Sequence, residues 1–182
     1  MEETAHIIKV ETSRRGTAQE KEADSYVAID LETTGLDPKH DKIIEIGAVL
    51  VIDGEIKETF STFVNPRREL DGRIRELTGI TGEMTAGAPD IGDVIGRVVE
   101  LCRDLPLLGH HIIFDYSFLK RAAVNKGLVF EKSGIDTLTL CRRFMPEEEK
   151  KNLENASRYY GIKQTDAHRA LADALTAHLL YR

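Results

Sequence analysis

The chain has 182 residues, 41% apolar and 31% charged, with a formal net charge of −6. That length and apolar content suit one globular domain with a full core, and no apolar run is long enough to span a bilayer. The acidic balance excludes a bulk electrostatic grip on nucleic acid. It does not exclude a nucleic-acid substrate held by local arginines and by the metal ions that clustered carboxylates bind.

Residues 1–24 mix acids and bases with few large apolar groups. They read as a flexible, solvated N-terminal arm containing a short strand at 6–10, or as a docking tail for a partner. The start of the chain lacks the apolar core of a secretion signal. Cys102 and Cys141 lie in apolar helical patterns and outside any metal-ligand spacing. Buried free thiols in a reducing cytoplasm are the expected reading.

From residue 26 the run Tyr-Val-Ala-Ile-Asp-Leu-Glu begins as an apolar strand and then places two acids, Asp30 and Glu32, at its end. Residues i and i+2 of a strand share a face. Two carboxylates side by side repel in a partly dry site unless a cation lies between them, and hard divalent ions take such oxygens. A polar turn with Pro38 follows, then a strand over 42–52, a hairpin turn at Asp53-Gly54 and a return strand over 55–64. Glu45 falls inside the second strand. It is either a half-buried acid hydrogen-bonded to the loop before it or a support for the metal site from behind.

Arg67, Arg68, Arg73 and Arg75 surround a short helix beginning near Leu70 and form either a solvated face or a contact for phosphates. A helix starting at Pro89-Asp90 carries Ile91, Val94, Ile95, Val98, Val99 and Cys102 at core-facing spacing. Residues 105–110 read as a buried strand of a parallel sheet. A helix follows from about Asp115 to Asn125, then a short strand over 128–130, and a helix opened by Asp136 and ended by Pro146. Asn152 caps the next helix, whose apolar positions include Leu153, Ala156 and Tyr160, and Gly161 stops it. The last helix begins near His168, with an apolar stripe at Leu171, Leu175 and His178 or Leu179.

Asp115 lies where a buried strand hands over to a helix, and Asp173 lies among alanines on the last helix. Five helical residues turn through about 140°, so His168 and Asp173 can face one cleft only if His168 precedes the helix and Asp173 lies within it. Three motifs occur in order: Asp30-x-Glu32-Thr33-Thr34-Gly35-Leu36, His110-x-x-x-Phe114-Asp115-x-x-Phe118-Leu119, and His168-x-Ala170-Leu171-x-Asp173-Ala174. Together they resemble the DEDDh 3′–5′ exonucleases, the group that includes the proofreading epsilon subunit of bacterial DNA polymerase III.

The resemblance spans residue 26 to the end of the chain and marks 25–182 as an exonuclease domain. It implies an α/β fold of the ribonuclease-H-like kind: a mixed sheet, antiparallel over its first three strands and then parallel, flanked by helices. It also implies two divalent metal ions, Mg²⁺ or Mn²⁺, held by Asp30, Glu32, Asp115 and Asp173, with His168 as the general base. Thr33, Leu36, Thr78 and Phe114 are implied to line the terminal nucleotide. The family usually has Asn where this chain has His111. His111 can still donate a hydrogen bond near the substrate 3′ end, but it is bulkier and titratable.

The expected activity is hydrolysis at single-stranded or frayed 3′ ends of DNA, releasing nucleoside 5′-monophosphates, with proofreading beside a DNA polymerase subunit in the cytoplasm. The alternatives are the same chemistry on RNA, and a catalytically silent module that docks onto nucleic acid or a polymerase.

Overall fold

The computed structural model describes residues 23–164 and 168–182. The arm's residues 1–22, with the expected strand at 6–10, lie outside the described residues. Five strands form one sheet in the order β3-β2-β1-β4-β5. Strands β1 (Tyr26–Thr33), β2 (Ile43–Ile52) and β3 (Glu55–Phe63) make an antiparallel meander. The β2–β3 turn places Asp53 and Gly54 at φ 51° and 77°, the left-handed geometry that Asp-Gly hairpins favour. Strands β4 (Leu107–Gly109) and β5 (Gly134–Asp136) then add in parallel on the other side of β1. The sheet is therefore mixed in the expected order, with β1 at its centre and buried on both faces.

Seven helices among the described residues cover it: α1 (Gly72–Thr78), α2 (Gly82–Ala86), α3 (Ile91–Cys102), α4 (Ile113–Asn125), α5 (Thr137–Phe144), α6 (Leu153–Tyr159) and α7 (Ala170–Tyr181). None is long and apolar enough to cross a membrane. Strand alternation sorts the core into two layers. Val27, Ile29 and Leu31 pack with Val94, Ile95 and Val98 of α3 and with Phe118 and Leu119 of α4. Tyr26 and Ala28 pack the other way, with Val49, Val51 and, from α7, Ala174, Ala177 and Tyr181. Asp30 and Glu32 continue the Tyr26–Ala28 side, so both point toward α7.

Three readings of the sequence require correction. The short strand expected over 128–130 is irregular. Leu128 N–H donates to the Ala123 carbonyl, so the chain is still leaving α4 there. Phe130 turns inward onto Tyr116, at a centroid distance of 6.0 Å, and pairing with β4 begins only at Gly134. Tyr160, expected on the apolar side of α6, is instead exposed beyond that helix's last turn.

The buried face of α7 is also different from the expected stripe. Ala170, Ala174, Ala177 and Tyr181 are buried together with His178, the one expected stripe position that is fully inward, while Leu179 is exposed and Leu171 and Leu175 are half-buried. The cause is a close approach between α7 and β2. A Cβ placed on Gly47 would sit 2.1 Å from the Ala170 carbonyl carbon, so the sheet admits only small residues from the helix here.

Candidate active site

Four segments meet at the end of β1 beyond the edge of β4. Strand β1 supplies Asp30 and Glu32, and α7 supplies Asp173. Helix α4 supplies Asp115 from its first turn. Its Oδ1 accepts the Leu31 N–H at 3.0 Å, meeting a backbone donor that β4, pairing only at Val27 and Ala28, does not reach. His168 lies just before α7 with φ 65°, outside the helix, as the cleft geometry requires. Asp30, Glu32, Asp115, Asp173 and His168 all line one cavity of about 390 Å³.

The electrostatics are those of an acid cluster held without enough counter-charge. Burial, then the charges of Asp115, Asp173, Glu32 and Glu45, push the Asp30 carboxyl well above its usual range. Glu32 rises to about 8 through burial and the charges of Asp173 and Glu45, with Arg169 opposing. Asp115 is raised well above its usual range by burial, then by Glu32 and Asp136, against backbone hydrogen bonds. Asp173 is also raised, by burial. Its two oxygens accept from Gln164 Nε2 at 2.6 Å and from the His168 N–H at 3.2 Å. Ligand atoms of Glu32, His168 and Asp173 lie within 4.8 Å of one another. An oxygen-rich donor set that resists ionisation unless a cation arrives fits hard divalent metals.

The remaining expected residues divide into two groups. Leu36, 85% exposed, stands at the cavity mouth with Phe114 and His111. His111 has φ 74°, a conformation unusual for a residue with a Cβ. Its N–H donates to Asp136 Oδ1 at 2.8 Å. Thr33 and Thr78 are buried and do not line the cavity. Thr33 Oγ1 donates to the Gly35 carbonyl at 2.6 Å, shaping the turn before Leu36. Thr78 Oγ1 donates to the Ile74 carbonyl at 2.9 Å within α1.

Sequence reading did not place His110, Asn152, Leu153, Glu154 and Gln164 in the wall, yet they line it. His110 Nε2 donates to the Lys151 carbonyl at 2.6 Å and so ties the α6 approach to the β4–α4 turn. Only the His110 motif position hinted at this. Asn152 was legible as a helix cap, which it is, but not as a wall residue.

Acids gathered with an imidazole at the end of the central strand of a mixed α/β sheet make an oxygen-rich cluster of the kind that suits divalent cations. The chain belongs to the exonuclease family, whose RNase_T pattern matches residues 27–181. A DNA polymerase III PolC-type protein of Clostridium perfringens is 40% identical over 158 residues, covering 86% of this chain and 11% of that protein. The DNA polymerase III PolC-type protein of Bacillus subtilis is 43% identical over 165 residues, covering 88% of this chain and 11% of that one. This chain thus spans about a tenth of the length of these relatives. Among solved structures, Exonuclease X in complex with 5′ overhanging duplex DNA aligns with a TM-score of 0.64 and 28% identity, covering 85% of this chain and 88% of that one. E. coli Exonuclease I in complex with a dT13 oligonucleotide aligns with a TM-score of 0.75, covering 87% of this chain and 40% of that one. At 18% identity the latter likeness bears on the fold alone.

Proposed function

We propose that residues 25–182 form a metal-dependent 3′–5′ exonuclease domain, with residues 1–24 as an appended arm. It hydrolyses the terminal phosphodiester of single-stranded or frayed DNA, releases nucleoside 5′-monophosphates, and serves proofreading beside a DNA polymerase subunit. The observation that carries this reading is the convergence of Asp30, Glu32, Asp115, Asp173 and His168 on one cavity. Its DNA substrate and replicative role are supported by the polymerase relatives and by the DNA-bound Exonuclease X.

Asp30, Glu32, Asp115 and Asp173 would hold Mg²⁺ or Mn²⁺. Ions so held neutralise charge on the attacking and leaving oxygens and make bound water more acidic. The chain's own groups supply the rest. His168 takes the proton of the attacking water, since imidazole exchanges protons near neutral pH. The Leu31 amide holds Asp115 in place, and the His168 amide and Gln164 hold Asp173. Leu36 and Phe114 offer apolar surfaces to the terminal base at the cavity mouth, and His111 stands beside them as a donor to the 3′ end. Thr33 acts on the substrate side by fixing the turn that presents Leu36.

The test is degradation of a 5′-labelled DNA oligonucleotide with Mg²⁺ or Mn²⁺, in competition with a matched RNA. Laddering from the 3′ end that favours DNA and disappears in Asp30→Ala and Asp173→Ala is expected. Preference for RNA would transfer the reading to exoribonuclease chemistry. Metal-independent oligonucleotide binding without products would reduce the domain to a docking module.

A further inference from the structure

Glu45 is an acid that the proposed chemistry does not use, and it is 1% exposed. It pairs across the strands with Glu32, so two carboxylates sit opposite each other on the face toward α7, an unfavourable arrangement if both stay charged and alone. Glu45 is fully engaged elsewhere. Its Oε1 accepts from Arg169 Nη2 at 2.8 Å and Nε at 3.0 Å. Its Oε2 accepts from the Ala170 N–H at 3.2 Å and from Arg169 Nε at 3.3 Å. The guanidinium also lies over the Phe63 ring, 4.9 Å from its centroid.

Arg169 and Ala170 are the residues that start α7. The Arg169 carbonyl accepts the Asp173 N–H at 3.0 Å, and His168 is the residue immediately before Arg169. Two residues along β2 from Glu45, Gly47 brings the strand against the Ala170 backbone with no side chain between them. One strand therefore grips the first turn of α7 twice, by a buried carboxylate and by a bare backbone.

Resting on the exonuclease reading of the site, we infer that Glu45 is a positioning residue: through Arg169 and Ala170 it sets the height and rotation of α7, and so places Asp173 and His168 against Asp30 and Glu32. Glu45 itself binds no metal. Its carboxylate is directed at the start of the helix, which leaves Glu32 as the ligand of the opposed pair.

The experiment compares Mn²⁺ binding by electron paramagnetic resonance, in the absence of substrate, for the wild-type chain, Glu45→Gln and the double variant Glu45→Gln/Arg169→Gln. Groups that orient metal ligands are worth about 10–100-fold in metal affinity, and a loss of that size is expected in both variants. The double variant leaves no unpaired charge under α7, so it should recover thermal stability relative to Glu45→Gln while staying weak in Mn²⁺ binding. In turnover, the Mn²⁺ concentration for half-maximal rate should rise by a similar factor, with most of kcat regained at saturation. Mn²⁺ affinity within twofold of wild type in either variant would overturn the inference. So would a loss of kcat that no Mn²⁺ concentration restores, which would make Glu45 a ligand. Because the binding measurement needs no turnover, a wild-type chain that binds Mn²⁺ but cleaves nothing would sink the nuclease reading and still decide the role of Glu45.

Discussion

Strand β1 and helix α7 lie together along their lengths, and their two ends solve the problem of buried polar groups in opposite ways. At one end, Tyr26 Oη meets His178 Nδ1 at 2.9 Å, the Ala23 N–H donates to Tyr181 Oη at 2.8 Å, and the Tyr26 and Tyr181 rings meet edge to face at 5.2 Å. The protein supplies its own partners there. At the other end, Asp30, Glu32 and Asp173 gather like charges whose carboxyls are all pushed upward. The same two elements thus build a closed polar network at one end and an open one at the other. On the reading proposed above, divalent cations would complete the open one. A fold can place stability and function on a single strand–helix pair by choosing which end to satisfy internally.

The sharpest way to break this contrast is to neutralise the open end. Asp30→Asn should abolish metal-stimulated hydrolysis, a loss at least as large as the roughly 10²–10⁴ carried by a general base, while raising the melting temperature of the metal-free protein by relieving repulsion. Rate assays with thermal denaturation check both, and a destabilised variant would contradict the picture of uncompensated charge. His168→Ala comes next: kcat should fall by about 10²–10⁴ with melting temperature unchanged, as single-turnover kinetics would show.

The open end should also announce itself through pH. A carboxyl raised in the folded state stabilises the fold fully below its unfolded value, about 4.3 for Glu, and that contribution is lost as pH rises through the folded value. For Glu32 the folded value is about 8. Burial lowers His110 and His178, which works in the other direction below about pH 6.5. Between about pH 6.5 and 8, metal-free stability should therefore decline, and saturating Mn²⁺ should flatten the slope. Urea unfolding across that range, with and without Mn²⁺, decides it; a metal-free curve that rises would refute the assignment. The smallest effect belongs to the closed end. Tyr26→Phe removes a buried partner of His178 and should cost about 1–3 kcal/mol in chemical denaturation, with the turnover of folded molecules unchanged.

Much of this was legible because it rests on local periodicity. The alternation that ends at Asp30 and Glu32, the Asp53-Gly54 turn and the spacing along α3 each determine their own element. The separation between His168 and Asp173 required a loop followed by a helix, and α7 begins accordingly at Ala170. What escaped depends on contacts between distant segments. Residues 128–130 look strand-like because Phe130 is buried, but the cause is packing on Tyr116 rather than pairing. The buried side of α7 follows from Gly47, 123 positions before Ala170 in the chain, and no window on the helix contains that information. Gln164 and Asn152 enter the cavity wall through the path of the chain around α6, which composition does not reveal.

Asp115 carries a further consequence. Its carboxylate closes the free end of β1 much as a capping side chain closes a helix, so one residue is both a fastener of the main chain and a member of the charge set. Replacement by Asn keeps an oxygen for the Leu31 amide and removes only the charge, whereas replacement by Ala also unfastens the strand that carries the neighbouring acids. A mutational survey that scored only Ala at this position would merge two duties that chemistry keeps apart.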